Sequence, residues 1–273
     1  MLKTAWDEIK FVLFGLVFGI ANVIPGVSGG TMAVIMNVYD RLLETLSLKN
    51  LKKNIPFIIP FLIGAAIGIY AFSNAITYLL EHFPIATKFT FIGLILGSVP
   101  MIFQRAGGKK FRPVNLIPFL FCVALMIVLG IASGYSYAST PQTELTVPLF
   151  FLLIVLTAIS AFAMILPGIS GSLVMMIFGV YFTVTQAIKD LNIILLIPVA
   201  IGVLIGLVFG SKLITLLLKR WPEATYAAIL GLILGSLYSL YPGFALNWEG
   251  AAAVVLMLAG GVAAYFFSLQ KES

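Results

Sequence analysis

Apolar residues run in long blocks along this chain, and polar residues fall in short clusters between them. Six blocks are nearly continuous, at about 56–80, 85–104, 113–137, 192–218, 224–241 and 248–268. A helix of that length crosses a hydrocarbon core of ~30 Å. Two further blocks, 9–46 and 148–189, are interrupted by proline and glycine. Barrel strands alternate in polarity and stay short, so these long runs predict an all-α polytopic membrane protein.

The interruptions are "NVIPGVSGGTMA" (22–33) and "MILPGISGSLVM" (164–175). In the first block they separate an arm Phe11–Ile24 of 14 residues from an arm Gly30–Leu46 of 17. Each arm covers roughly 21–26 Å, short for a span, and the two end to end are too long for one. A re-entrant helical hairpin over 9–46, and a second over 148–189, fits both lengths.

The two blocks are copies. Pro25 pairs with Pro167, Gly26 with Gly168, Ser28 with Ser170, Gly29 with Gly171 and Tyr39 with Tyr181, all at an offset of 142. The match resumes at an offset of 138, where Pro60–Ser98 aligns with Pro198–Ser236 at 19 identities in 39 positions. Each half is then a hairpin plus three spans, 9–137 and 148–268, within a single membrane domain 1–273. Three is odd, so the second half enters the membrane upside down. The expected architecture is an inverted-topology repeat, as in many secondary transporters.

Charge supports this topology. With the N-terminus inside and each hairpin returning to its own side, thirteen Lys and Arg fall inside and only Lys88 and Lys189 outside. Lys212 falls within a span, close enough to its end to snorkel. That bias is the positive-inside signal, and it puts both termini in the cytoplasm. If the first hairpin crossed instead, the run Lys49–Lys53 would move outside. The composition agrees: 61% of residues are hydrophobic, 10% are charged, and the mean hydropathy is +1.13. Soluble domains carry about 25% charged residues. The net charge of +6 then reflects basic loops rather than a nucleic-acid partner. The N-terminal segment lacks a small-x-small cleavage site and reads as mature protein.

The breaks carry the candidate chemistry. Pro25 with Gly26, and Pro167 with Gly168, end one arm and make a turn. Ser28 is placed as N-cap of the next arm, with Gly29, Gly30 and Thr31 in its first turn; Ser170, Gly171 and Ser172 match them. The first N–H groups of a helix lack intrahelical partners and attract anions. Inversion would bring both tips to the midplane, facing one anion. Packing of the small residues on each other is the competing reading. Asn22 aligns with Met164 and either contacts the substrate or caps the tip. Arg41 lies 13 residues beyond Ser28, roughly 20 Å along a straight helix. There it either attracts an anionic head or anchors the helix at the interface.

Catalysis is not expected. The tips offer serines but no histidine, and no carboxylate within about ten residues of them. An activated nucleophile needs a neighbouring base. No HExxH, CxxC or paired acidic motif is present, so neither a metal nor a cofactor is expected.

At these residues the chain resembles a known family. "GIANVIPGVSGGTMAVIMNVYDRLLE" (19–44) and "AMILPGISGSLVMMIFGVY" (163–181) are similar to the paired signatures of bacterial polyprenyl-phosphate transporters. The resemblance covers nearly the whole chain. It implies movement of undecaprenyl phosphate, the C55 lipid carrier of cell-wall synthesis, from the outer to the inner leaflet of the cytoplasmic membrane. The anion at the midplane would then be a lipid phosphate, with the prenyl tail left in the bilayer. Many members have aspartate where this chain has Asn22, a departure that bears on proton coupling. A small-anion carrier or channel, or a membrane lipid phosphatase, are the alternatives.

Overall fold

The computed structural model describes residues 5–23, 28–46, 51–133, 141–244 and 247–269. Among them all regular structure is helical. The first half holds α1 (Ala5–Val23), α2 (Gly29–Ile35), α3 (Tyr39–Leu46), α4 (Leu51–His82), α5 (Pro84–Arg105) and α6 (Leu116–Ser133). The second holds α7 (Val147–Ile165), α8 (Gly171–Ile177), α9 (Tyr181–Lys189), α10 (Ile193–Arg220), α11 (Pro222–Leu240) and α12 (Trp248–Leu269).

Among the described residues, seven helices are long and apolar enough to cross a membrane: α4, α5, α6, α7, α10, α11 and α12. The bent pair α8–α9 makes an eighth if it counts as one span. The six uninterrupted blocks correspond to α4, α5, α6, α10, α11 and α12. Leu62, Phe121, Leu204, Phe209 and Leu258 on these helices are each more than half exposed. Such an apolar exterior suits lipid, not water.

The hairpin arms differ from expectation in two ways. The first arm of the first block, α1, has 19 residues rather than the expected 14, and its counterpart α7 also has 19, so each reaches roughly 28 Å. The second arms are not single helices. The expected arm Gly30–Leu46 breaks into α2 and α3, and its counterpart breaks into α8 and α9 with a bend of 115°. The cause is a left-handed residue at equivalent places, Asn37 at φ 59° and Gly179 at φ 75°. The closing hydrogen bonds also match. Val38 N–H donates to the Ala33 carbonyl as Val180 N–H does to Met175, both at 2.9–3.0 Å. Because the chain turns at Asn37, Arg41 does not lie on a straight 20 Å extension of the tip helix.

The sequence repeat recurs as a repeat of contacts. α1 packs along α4 and α7 along α10; α5 packs along α12 and α11 along α6. Glycines set the spacing of each seam. A Cβ on Gly64 would overlap the Val12 carbonyl, and one on Gly202 would overlap that of Ile154. Gly93 sits likewise against Met257, and Gly231 against Phe119. In each comparison the partner is the residue that the repeat offset names. Small residues permit this approach of backbones in lipid, where dispersion and packing replace the hydrophobic effect. Gly64→Leu and Gly202→Leu are therefore expected to lower stability by similar amounts, about 1–3 kcal/mol each, as overpacking does. Thermal unfolding in detergent measures both; a difference much beyond that range between the two would break the equivalence.

Candidate functional site

Pro25 and Gly26 lie outside the described residues. The rest of the first tip is buried. Ser28 is 4% exposed, and its Oγ accepts from Gly30 N–H at 3.2 Å, the expected N-cap. Gly29 and Gly30 open α2 and are buried. Thr31 is 2% exposed, and its Oγ1 has no hydrogen-bond partner. Asn22 is exposed and donates to its own helix at the Phe18 carbonyl, 2.8 Å away, rather than capping the tip. Its amide also abuts Gly29, where a Cβ would have to displace the Asn22 amide and the Phe18 ring.

The second tip is more open. Gly168 makes the turn at φ 90° after Pro167 and lies close against the Leu232 carbonyl. Ser170 stands at the N-cap position of α8 but makes no side-chain cap; its Oγ meets Ser172 Oγ at 2.8 Å, with Ser172 exposed. Gly171 is buried behind it.

The two tips touch. A Cβ on Gly30 would lie 3.1 Å from the Ile165 carbonyl oxygen and 3.3 Å from Pro167. Tyr39, at the start of α3, donates its hydroxyl to the same Ile165 carbonyl at 3.1 Å. The α2–α3 break is thus tied to the end of α7.

Next to Tyr39 lies a polar cluster that sequence reasoning missed. Arg105, in the last turn of α5, donates through Nη1 to Asp40 Oδ2 at 3.1 Å and to the Tyr226 hydroxyl at 2.6 Å. Its Nη2 donates to Asn37 Oδ1. Tyr226, in α11, donates in turn to Asp40 at 3.0 Å. The left-handed Asn37 therefore both breaks the helix and aims the guanidinium. The ion pair remains partly open, with side-chain exposures of 32% for Arg105 and 42% for Asp40. An exposed ion pair of this kind contributes little by itself.

A signal for this cluster was present in the repeat. At the offsets above, Asn37 stands opposite Gly179, Asp40 opposite Phe182, Arg105 opposite Gly243, and Tyr226 opposite Lys88. All four residues are polar departures from internal symmetry. Arg41 does not join them. Its guanidinium lies between the rings of Phe11 and Phe57, 4.5 Å from each centroid. Lys212 sits 5.8 Å from the ring centroid of Phe209 on its own helix.

Comparison with known proteins bears on what this site handles. The family model described as VCA0040-like, undecaprenyl phosphate translocase-like, matches residues 18–257. A polyprenyl-phosphate transporter of Vibrio cholerae is 32% identical over 258 residues, covering 89% of this chain and 80% of the relative. A polyprenyl-phosphate transporter of Staphylococcus aureus is 31% identical over 246 residues, covering 86% and 87%. No solved structure matches. On this coverage, the chain belongs to the undecaprenyl phosphate translocase-like family.

Proposed function

We propose that this protein carries undecaprenyl phosphate across the bacterial cytoplasmic membrane, from the outer to the inner leaflet, and so returns the carrier lipid for another round of cell-wall synthesis. The observation that carries the reading is Arg105. A partly open arginine, aimed by Asn37, Asp40 and Tyr226, stands beside the contact of two glycine–serine turns. Relatives named for polyprenyl-phosphate transport supply the lipid.

The physical task is narrow. The prenyl tail is at home in hydrocarbon, whereas the charged phosphate is not. The protein needs only a polar path for the head and a lateral opening for the tail. In this reading the two halves are inverted repeats, 9–137 and 148–268, with re-entrant segments meeting near the midplane. The paired seams of α1–α4 with α7–α10, and of α5–α12 with α11–α6, support the equivalence of the halves. Both termini lie on the cytoplasmic side by the distribution of Lys and Arg.

The head first meets the open second tip, at Ser170 and Ser172. The unpartnered Thr31 hydroxyl waits across the tip contact, with Ser28, Gly29 and Gly30. The phosphate then displaces Asp40 from Arg105, since a dianion outcompetes a single carboxylate for a fork of donors. The halves rock about the tip contact, and Asp40 reclaims Arg105 as the head leaves. Asn22 carries no titratable proton, so coupling through that position is absent. Arg41 anchors α3 by its two phenylalanines. No step needs a nucleophile, and the serines act as hydrogen-bonding groups.

Purified full-length protein in proteoliposomes is expected to exchange a short-chain polyprenyl phosphate between leaflets and to leave the phosphate ester intact. Absence of exchange by folded protein overturns the reading. Exchange of inorganic phosphate instead would point to a small-anion carrier, and release of phosphate to a phosphatase.

A further inference from the structure

A second group of donors lies apart from the tips, at the corner between α10 and α11. A cavity of about 500 Å³ opens there against the Pro113–Asn115 turn and the start of α6. It is lined by Arg112, Asn115, Arg220, Trp221, Glu223 and Ala224, with apolar Val114 and Ile117 on one wall.

The polar lining consists mostly of donors. Asn115 is 4% exposed, yet its Nδ2 has no hydrogen-bond partner. Buried donors in native proteins are normally satisfied, so an orphan beside a cavity points to an acceptor that arrives from outside. The start of α11 adds a second, independent feature. Trp221 at its N-cap makes no side-chain cap, and Pro222 follows. The N–H groups of Glu223 and Ala224, which belong to the first turn of this 19-residue helix, therefore lack intrahelical acceptors. They carry the positive end of the helix dipole. Two cations complete the set. Arg220 lies 5.1 Å from the Trp221 ring centroid. Arg112 reaches Glu223 at only 3.8 Å, with three quarters of its side chain exposed. Among the described residues Glu223 is the one carboxylate lining the cavity, and this loose pairing leaves most of the Arg112 fork available.

We infer that this cavity binds the phosphate headgroup of a lipid at the membrane surface. An amide donor, a helix start and two guanidinium groups suit a phosphate oxyanion. A soluble anion would not need the apolar wall. Ile117 is 69% exposed on α6, so a hydrocarbon tail can continue along that helix. Tryptophan and arginine at a helix end are the usual groups at headgroup depth. The chemistry is shared by two sources, the phosphomonoester of the transported lipid and the phosphodiester of a resident phospholipid. Tyr226, which holds Arg105, lies one turn along α11 from Glu223, so an occupant would sit close to that cluster.

The chain has three tryptophans, so Trp6→Phe with Trp248→Phe leaves Trp221 as the sole reporter. Full-length protein of this kind, in detergent, is titrated with short-chain polyprenyl phosphate and with phosphatidylglycerol. Polyprenol and diacylglycerol serve as phosphate-free controls. A saturable change in Trp221 emission is expected with a phosphate lipid and not with the controls. Response to the monoester alone identifies a landing site for the transported lipid; response to the diester alone or to both identifies a general phospholipid site. Arg112→Gln and Asn115→Asp are each expected to weaken binding about tenfold. The exposed Arg112 variant keeps the test valid if Asn115→Asp fails to fold. Equal responses to the phosphate-free controls, or unchanged binding by the Arg112 variant, overturn the inference. Transport is not measured, so failure here leaves the translocation reading standing, and the reverse holds as well.

Discussion

Arg105→Gln lowers leaflet exchange of polyprenyl phosphate in proteoliposomes by about a hundredfold, if two charge-assisted hydrogen bonds to the head are lost. Glutamine keeps a polar side chain of similar reach but loses the charge and the fork. Arg105→Lys restores only part of the rate, because an ammonium is a point charge that cannot reproduce the planar geometry shared among Asp40, Tyr226 and Asn37. Asn37→Gly separates aim from fold. Glycine relaxes the backbone at φ 59°, as Gly179 does in the other half. The unfolding temperature is therefore expected to hold or rise while exchange falls, since Arg105 has lost the acceptor that orients it. Asp40→Asn removes the competing carboxylate, and the head should bind more tightly and leave more slowly. Exchange by folded Arg105→Gln within twofold of the wild type would remove Arg105 from the path.

Gly30→Leu is expected to stop exchange while the protein still folds. Gly30 is where α2 meets the end of α7, and even a Cβ there lies 3.1 Å from the Ile165 carbonyl oxygen. Alanine asks its neighbours to give by a few tenths of an ångström, so Gly30→Ala slows exchange and retains activity. Leucine must push the tips apart or tilt α2, at a cost of about 1–3 kcal/mol typical of overpacking. The tip contact is the pivot in the proposed cycle, so a wedge there holds one state. Ser172→Phe probes the same junction from its open side, where exposure keeps the stability cost small. Unfolding temperatures taken alongside exchange rates distinguish a locked protein from an unfolded one. Normal exchange by Gly30→Leu and Ser172→Phe together would exclude the tips from the mechanism.

The glycine seams show why much of the architecture could be read from residues alone. Gly64 and Gly202 recur at a fixed offset because each must let one backbone reach another, at Val12 and at Ile154. Such spacing leaves a mark in the sequence. The same holds for Ser28, whose capping role follows from its position before a glycine-rich turn and is seen in its bond to Gly30. The break at Asn37 was harder to see. Asparagine tolerates the left-handed region but does not require it, and an apolar run on both sides reads as one helix. Its partner Gly179 was the better clue, and only the comparison of halves makes it one.

Local pattern and repetition determined what this chain could establish alone: the apolar blocks, the paired proline–glycine breaks, the equivalence of the two halves and the resemblance to lipid-phosphate carriers. These depend on neighbours in sequence or on a copy at a constant offset. The bond network around Arg105 depends on neither. Asn37 and Asp40 lie 68 and 65 residues away from it, and Tyr226 lies 121 away. The repeat has no second example of that network to compare. Only folding brings the end of α5, the α2–α3 break and the start of α11 to one point. In sequence, Arg105 was one more basic residue on the inner side. Tertiary structure made it a guanidinium bonded to Asn37, Asp40 and Tyr226 beside the tip contact, because the direction of a charged side chain is set by what packs around it.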